Sequence, residues 1–335
     1  MEDGGALTMT NSQIVGNQAA AAGGGIALFG GTAVLASSRL EGNSTNGVGG
    51  ALWVNRNAAL TLTESSVVAN AASNPNGGSG GGLLTWGDVT IARSTFSANT
   101  AYSGGAMAFR GGAGRLENVT ISGNTARSLP GGILSAIAPG AGSLTLVHVT
   151  LYGNTYLDSN ANLAIEPESE APRLQNTIIQ GTIDGANCYL GVNPVSLGYN
   201  QSSDASCELT GIGDVQNANI ALAPLADNGG PTQTHLATVG SSVLDAIPAD
   251  RCALATDQRH LPRPQGPRCD AGAVEGVPTT MPPLPTTRPY YLGKILVRPI
   301  ILPVFLRLPN IAATQLEVTQ AIQEADGAGV TLVAG

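Results

Sequence analysis

The chain has 335 residues, 45 of them glycine, with 42% hydrophobic, 4% aromatic and only 11% charged residues, whereas an ordinary soluble domain carries about 7% glycine and about 25% charge. This composition speaks against a compact core of large side chains. It speaks equally against a disordered chain, because so much Ala, Leu, Val and Ile has to be buried somewhere narrow. The formal net charge is −8 and Lys294 is the single lysine, which excludes the clustered cationic surface that nucleic acid requires.

In chain order, the N-terminus has no basic segment followed by an apolar one, so no signal peptide is visible. Met1 stands almost on top of a repeat, which reads as a truncated start. Two marks then alternate along the chain. The first is a Gly-Gly pair followed by small or apolar residues: Gly4-Gly5, Gly24-Gly25, Gly49-Gly50, Gly81-Gly82, Gly104-Gly105 and Gly131-Gly132. The second is an apolar residue three positions before an asparagine, giving Asn17, Asn43, Asn70, Asn99, Asn124 and Asn154. Eight positions before those asparagines stand Met9, Leu35, Leu62, Ile91, Leu116 and Leu146, and the alternation around them is that of strands buried on one face.

Repeats of roughly 20 to 30 residues with strand but no helical periodicity are the size of one coil of a solenoid, and a unit this short has to stack on copies of itself. The expected fold is therefore all-β, a single-stranded right-handed parallel β-helix over residues 1–182. The six asparagines should form a ladder, because asparagine tolerates the left-handed conformation at a corner and its amide can pair with the coil above. Flexible linkers would not keep apolar residues in register. The leucine-rich repeat fails on the spacing of its leucines, and calcium-binding nonapeptides fail because no Asp stands in the glycine turns. Asn70–Gly80 and Thr125–Pro130 read as insertions that serve as display loops.

From about Asn162 the register weakens into final coils. Residues 183–276 are turn-rich and read as a disulfide-bound cap over the solenoid end. They hold all four cysteines, in two local pairs, Cys188 with Cys207 and Cys252 with Cys269. The even count suits two disulfides and an oxidising compartment, while four free thiols remain the alternative at this point. Residues 277–289 are a Pro/Thr linker, and 290–335 read as the β-rich start of a truncated, sandwich-like domain. The sequence holds no apolar run long enough for a transmembrane helix.

The repeats resemble those of polymorphic outer-membrane proteins over about residues 4 to 155. Residues 176 to 276 resemble the bacterial choice-of-anchor Q domain, through Ser196-Leu197-Gly198-Tyr199-Asn200, Asp227-Asn228-Gly229-Gly230-Pro231-Thr232, His235, Thr256-Asp257-Gln258-Arg259, Pro262-Arg263-Pro264, Cys269-Asp270 and Gly272-Ala273-Val274-Glu275. That resemblance implies a secreted or cell-surface protein and transfers no catalytic residue. The Pro/Thr linker departs from the family habit of ending soon afterwards in an anchor, which leaves the mode of attachment open.

Chemistry is sparse. Between residues 4 and 155 the acids are Glu41, Glu64, Asp88 and Glu117, spread over different coils, whereas lyases and hydrolases need clustered carboxylates. Six positions before the ladder asparagines stand Asn11, Ser37, Glu64, Arg93, Asn118 and His148, read as an exposed or half-exposed column. Glu64, Arg93 and His148 are its candidate polar site. Glu64 with Arg93 is first of all a cross-coil ion pair, and a lone His is more often a polar surface residue than a base. His235, Asp227, Asp257, Arg259 and Asp270 are read as turn chemistry and ion pairing. Neither a metal site nor a cofactor is expected, since no CxxC pair exists. The expected function is non-enzymatic adhesion or display by a monomer, with carbohydrate or another cell-surface ligand as partner. The alternative is a β-helix carbohydrate-active enzyme or glycan-binding module, which a groove with clustered acids and stacking aromatics would favour. Trp53, Trp86, Phe96, Tyr102 and Phe109 are the aromatics at hand, Phe96 expected inside.

Overall fold

The computed structural model describes residues 4–128 and 130–276, together with the short antiparallel pair Leu296–Val297 and Ile300–Ile301. The linker 277–289 and the rest of 290–335 lie outside the described residues, as does the β-sandwich expectation. Contacts divide the chain into one unit ending at Thr279 and a second beginning at Thr280.

The first unit is a parallel β-solenoid. Its three sheets hold 13, 8 and 7 strands. Their pairing is parallel in every rung up to Thr155–Tyr156, which pairs antiparallel with Ser159–Asn160. The first sheet has a leading run, carried by the strands after each Gly-Gly pair (Leu83–Thr85, Met107–Phe109, Ile133–Ser135), and a trailing run (Asp88–Ala92, Gly112–Glu117, Gly142–Val147). The two fuse where Ile26–Ala36 and Leu52–Thr63 pass through both without a break. The expected boundary at residue 182 falls inside this architecture, because Cys188–Leu190, Val195–Gly198 and Gln201–Ser202 continue the sheets beyond it.

Period-two alternation fills the core from two sides. In the second sheet the middle residues Leu40, Val67, Phe96, Ile121, Leu151 and Ile179 are fully buried, and opposite them lie Leu35, Leu62, Ile91, Leu116, Leu146 and Leu174. Phe109 joins Phe96 inside, beneath Gly114, where an added Cβ would come within 2.7 Å of the Phe109 ring. The glycine pairs supply the corner before each leading strand. Gly104, at φ +61°, places its α-carbon so that a side chain would meet the Met107 carbonyl, a position only glycine fills without strain.

The corner between first and second sheets is built differently. Asn11, Ser37, Glu64, Arg93, Asn118 and His148 all stand at φ between 47 and 52°, and Asn176 and Tyr199 extend the column at 55 and 57°. The expected half-exposed column is thus a column of left-handed residues. Asparagine visits that region readily, whereas Glu, Arg, His and Tyr do so at a cost of about 1–3 kcal/mol each, so their surroundings must hold them there.

Both disulfides form, Cys188–Cys207 and Cys252–Cys269. The first, with Leu209, joins the main hydrophobic core and closes its last coil, as a cap should. The second lies in a smaller core of Val243, Ile247, Ala271 and Ile178. That smaller core corrects the expectation of an end cap for the whole of 183–276. Residues 219–276 instead double back along the outer face of the second sheet, bonding to Gln201, Thr150, Ser122, Thr120 and Thr95 on four of its strands. Among the described residues no helix is long and apolar enough to cross a membrane.

Candidate functional site: a sealed polar flank and an open aromatic trough

The ladder asparagines stack with one geometry. Asn70 donates from both its backbone N–H and its Nδ2 to Asn99 Oδ1, at 3.0 and 2.9 Å, and Asn99 repeats this onto Asn124, at 2.9 and 2.9 Å. The remaining amide hydrogen of Asn99 goes to the Val67 carbonyl at 2.9 Å. The column starts at Asn17 and runs through Asn154 onto Asn162 and Asn187, two members the spacing had not revealed because the last coils are irregular. A second ladder went unseen in the sequence. The backbone N–H of Ser12, Ser38 and Ser65 donates to the hydroxyl of Ser38, Ser65 and Ser94 in the next coil, and buried Val119 and Val149 then take over this column.

The candidate polar site does not assemble. Glu64 pairs with Arg93 at 3.2 Å and with His260 of the returning segment at 3.2 Å. His148 lies two rungs beyond Arg93 and is completely buried, its Nδ1 against the Gly272 carbonyl and its Nε2 against the Cys252 carbonyl and the Asn176 amide. Burial, and after it the Arg263 guanidinium, holds the imidazole pKa well below its ordinary value. His148 therefore has no access to a substrate and serves as a neutral structural group.

The returning segment explains how the left-handed column is held. Thr232 donates to the Arg93 carbonyl, Asn118 is bonded by the Thr256 carbonyl and by Arg263, and Asn176 donates to the Arg251 carbonyl. Gln258, fully buried, donates to Thr95 and Thr232 and accepts from Thr120. His235 meets Ser122 at 2.8 Å through Nε2 and donates from Nδ1 to the Ala223 carbonyl, and burial lowers its pKa. The carboxylate of Asp257 accepts from Arg259 and from the backbone N–H of Arg259, Leu261 and Glu275. Arg263 and Glu275 pair at 2.6 Å with neither side chain exposed by more than 1%. Burial raises the pKa of Glu275 and Asp270 against the opposing pull of Arg263. Asp227 caps its own turn by accepting from the Gly229 N–H. These groups clamp a loop-rich segment to a sheet.

The opposite flank is different. The outward residues of the leading run stack in register as Trp53, Leu84, Ala108, Leu134, Ala164 and Tyr189. Leu84, Ala108, Leu134 and Ala164 are almost fully buried although they face outward, and Trp53, Trp86 and Tyr189 pack against them. Leu134 and Ala164 form the floor of a trough on this face. Tyr102, Arg110, Glu166 and Tyr189 line a cleft of about 590 Å³ in it. Tyr102 also borders a smaller cleft of about 280 Å³ under Asn74, Pro75 and Arg127. Phe29, 54% exposed, supports Trp53 edge-on at 5.0 Å. Arg110 and Glu166 pair at 3.1 Å across the rim, both partly exposed. The sequence named Trp53, Trp86 and Tyr102 but could not place them on one side of the molecule, and it offered no sign of Tyr189. Among the described residues no group of three or more His, Cys, Asp and Glu is placed to hold a metal ion. Compared with family models, curated proteins and solved structures, the chain matches none of them.

Proposed function

We propose that this chain is a non-catalytic secreted or cell-surface solenoid that serves adhesion and display. The observation that carries the reading is how its reactive side chains are used. His148, His235, Asp257, Arg263 and Glu275 are spent holding residues 219–276 together and against the coils, and Glu64 is held by Arg93 and His260. An active site keeps at least one acid or base free at a reachable surface. Both disulfides support an oxidising compartment, and the likeness of residues 176 to 276 to choice-of-anchor Q proteins supports a bacterial surface protein of that kind.

The test is turnover. The 335-residue chain and a Glu64→Ala, Asp88→Ala variant are incubated with a panel of purified polysaccharides, scoring new reducing ends and unsaturated products. The expected result is no product from either. Product formed by the parent and lost in the variant overturns the reading and puts an active site on the coils.

A further inference from the structure

The outward columns of the solenoid differ in kind. The trailing run presents Thr8, Val34, Thr61, Thr90 and Arg115 in one mostly polar column, and the third sheet presents Gln18, Ser44 and Thr100. The outer face of the second sheet is covered by the returning segment from Thr95 onward, while in its first coils Gln13, Val15 and Arg39 stay exposed and Glu41 half-exposed. The leading run carries an apolar outward column, over which Trp53, Trp86 and Tyr189 pack, and this face opens at the cleft beside Leu134 and Ala164; an apolar cleft of this kind marks a binding face. Trp53 and Tyr189 are separated by five coil steps, about 24 Å at about 4.8 Å per step, so the trough is long as well as recessed.

We propose that this trough binds an extended, neutral glycan chain, stacked on Trp53, Trp86 and Tyr189 and clamped through its hydroxyls by Arg110 and Glu166. The inference rests on the non-catalytic reading above and names its ligand class. Three features select the occupant. The trough runs across the strands, whose backbone groups are already paired with rungs on both sides, so it offers a peptide none of the free edge that strand addition needs. Its aromatics sit beside polar groups, the combination that takes a ligand apolar on its ring faces and polar on its rim. In a chain of net charge −8, the cleft's charges are Arg110 and Glu166, which cancel. Donors and acceptors without net charge match hydroxyls and give a uronate no advantage. Glu166 is the one carboxylate lining the cleft and is held by Arg110, so binding here is expected without cleavage.

The chain's own fluorescence reports on the site, because Trp53 and Trp86 are the only two tryptophans in the sequence. The full 335-residue chain is titrated with cellohexaose, mannohexaose, chitohexaose and laminarihexaose as neutral probes and hexagalacturonate as the acidic one. Tryptophan emission and heat are followed together. The expected result is saturable binding of at least one neutral probe with a change in emission. Affinity should fall at least about tenfold in Trp53→Ala and in Tyr189→Ala, a loss of about 1.4 kcal/mol, and stay unchanged in Arg115→Ala on the trailing run. Binding of no neutral probe, tighter binding of hexagalacturonate, or heat of binding without a change in emission each overturns the proposal, the last needing no variant to fold. Cleavage of a bound probe would instead overturn the non-catalytic reading, which distinguishes the two failures.

Discussion

Replacing Asn99 by alanine tests whether the ladder holds the solenoid together. Its amide makes four buried bonds, accepting from the N–H and Nδ2 of Asn70 and donating to Asn124 Oδ1 and the Val67 carbonyl. Asn70 Nδ2 keeps other acceptors, the Leu40 and Val68 carbonyls, and Asn124 Oδ1 keeps the Asn99 N–H. The Val67 carbonyl lies within a strand paired on both sides, so the group left without a partner is the Asn70 N–H. The expected destabilisation is therefore about 1–3 kcal/mol, a sizeable part of a net stability of about 5–15 kcal/mol. Asn17, at the exposed end of the ladder, donates to Asn43 but receives nothing, so Asn17→Ala should cost about 1 kcal/mol or less. Urea unfolding of both variants, followed by circular dichroism, measures the contrast. Equal losses at the two positions, or a loss under about 1 kcal/mol at Asn99, would refute the accounting.

The remaining predictions concern packing, the clamp and the disulfides. Gly114→Ala should destabilise by about 1–3 kcal/mol through its clash with Phe109, and adding Phe109→Leu should recover part of that in the same unfolding assay. Glu275→Gln removes the partner of a buried guanidinium and should cost about 3–5 kcal/mol, read first as faster amide exchange in residues 219–276. His148 and His235 have folded pKa values below the unfolded value, so the folded state binds fewer protons; their stabilisation is complete above about pH 6.5 and is lost as the pH falls below it. Asp270 and Glu275, raised by burial, act in the opposite sense and return stability as the pH falls towards about 4. The urea midpoint should thus drop between about pH 7 and about pH 5, and a flat profile would count against neutral buried histidines. Cys188→Ser with Cys207→Ser opens a loop of 19 residues at the end of the main core and should cost about 3 kcal/mol in thermal or urea unfolding.

The coils were legible because their physics is periodic. An inward residue every second position and a corner residue at fixed offset from each asparagine leave a mark that self-alignment detects, and the solenoid and its ladder follow from it. The serine ladder left a fainter mark, since Val119 and Val149 interrupt it with side chains that fill the same buried space by another means. The left-handed column was found as a column, and Asn11, Ser37, Glu64 and Arg93 are exposed or half-exposed as expected. Asn118 and His148 are buried, because the segment folded over them makes that end of the column interior. That segment is held by contacts such as Gln258 to Thr95, 163 residues apart, and no local pattern encodes a pairing of such separation. The trough was hidden for a related reason. Trp53 and Tyr189 share a column only once the irregular coils between them are stacked.

The place where the chain leaves the first unit also has a consequence under mechanical load. It departs beside Gly276, whose neighbours Ala273 and Gly272 are bonded to Thr150 and His148 in the middle of the solenoid, rather than from the last rung at Gln201–Ser202. A pull applied through the linker therefore enters from the flank. It loads the Arg263–Glu275 pair and the Asp257 bonds together, and the final coil is not peeled away rung by rung. The Cys252–Cys269 bridge lies on that same route, so tension meets a covalent stop before it reaches the rest of the returning segment.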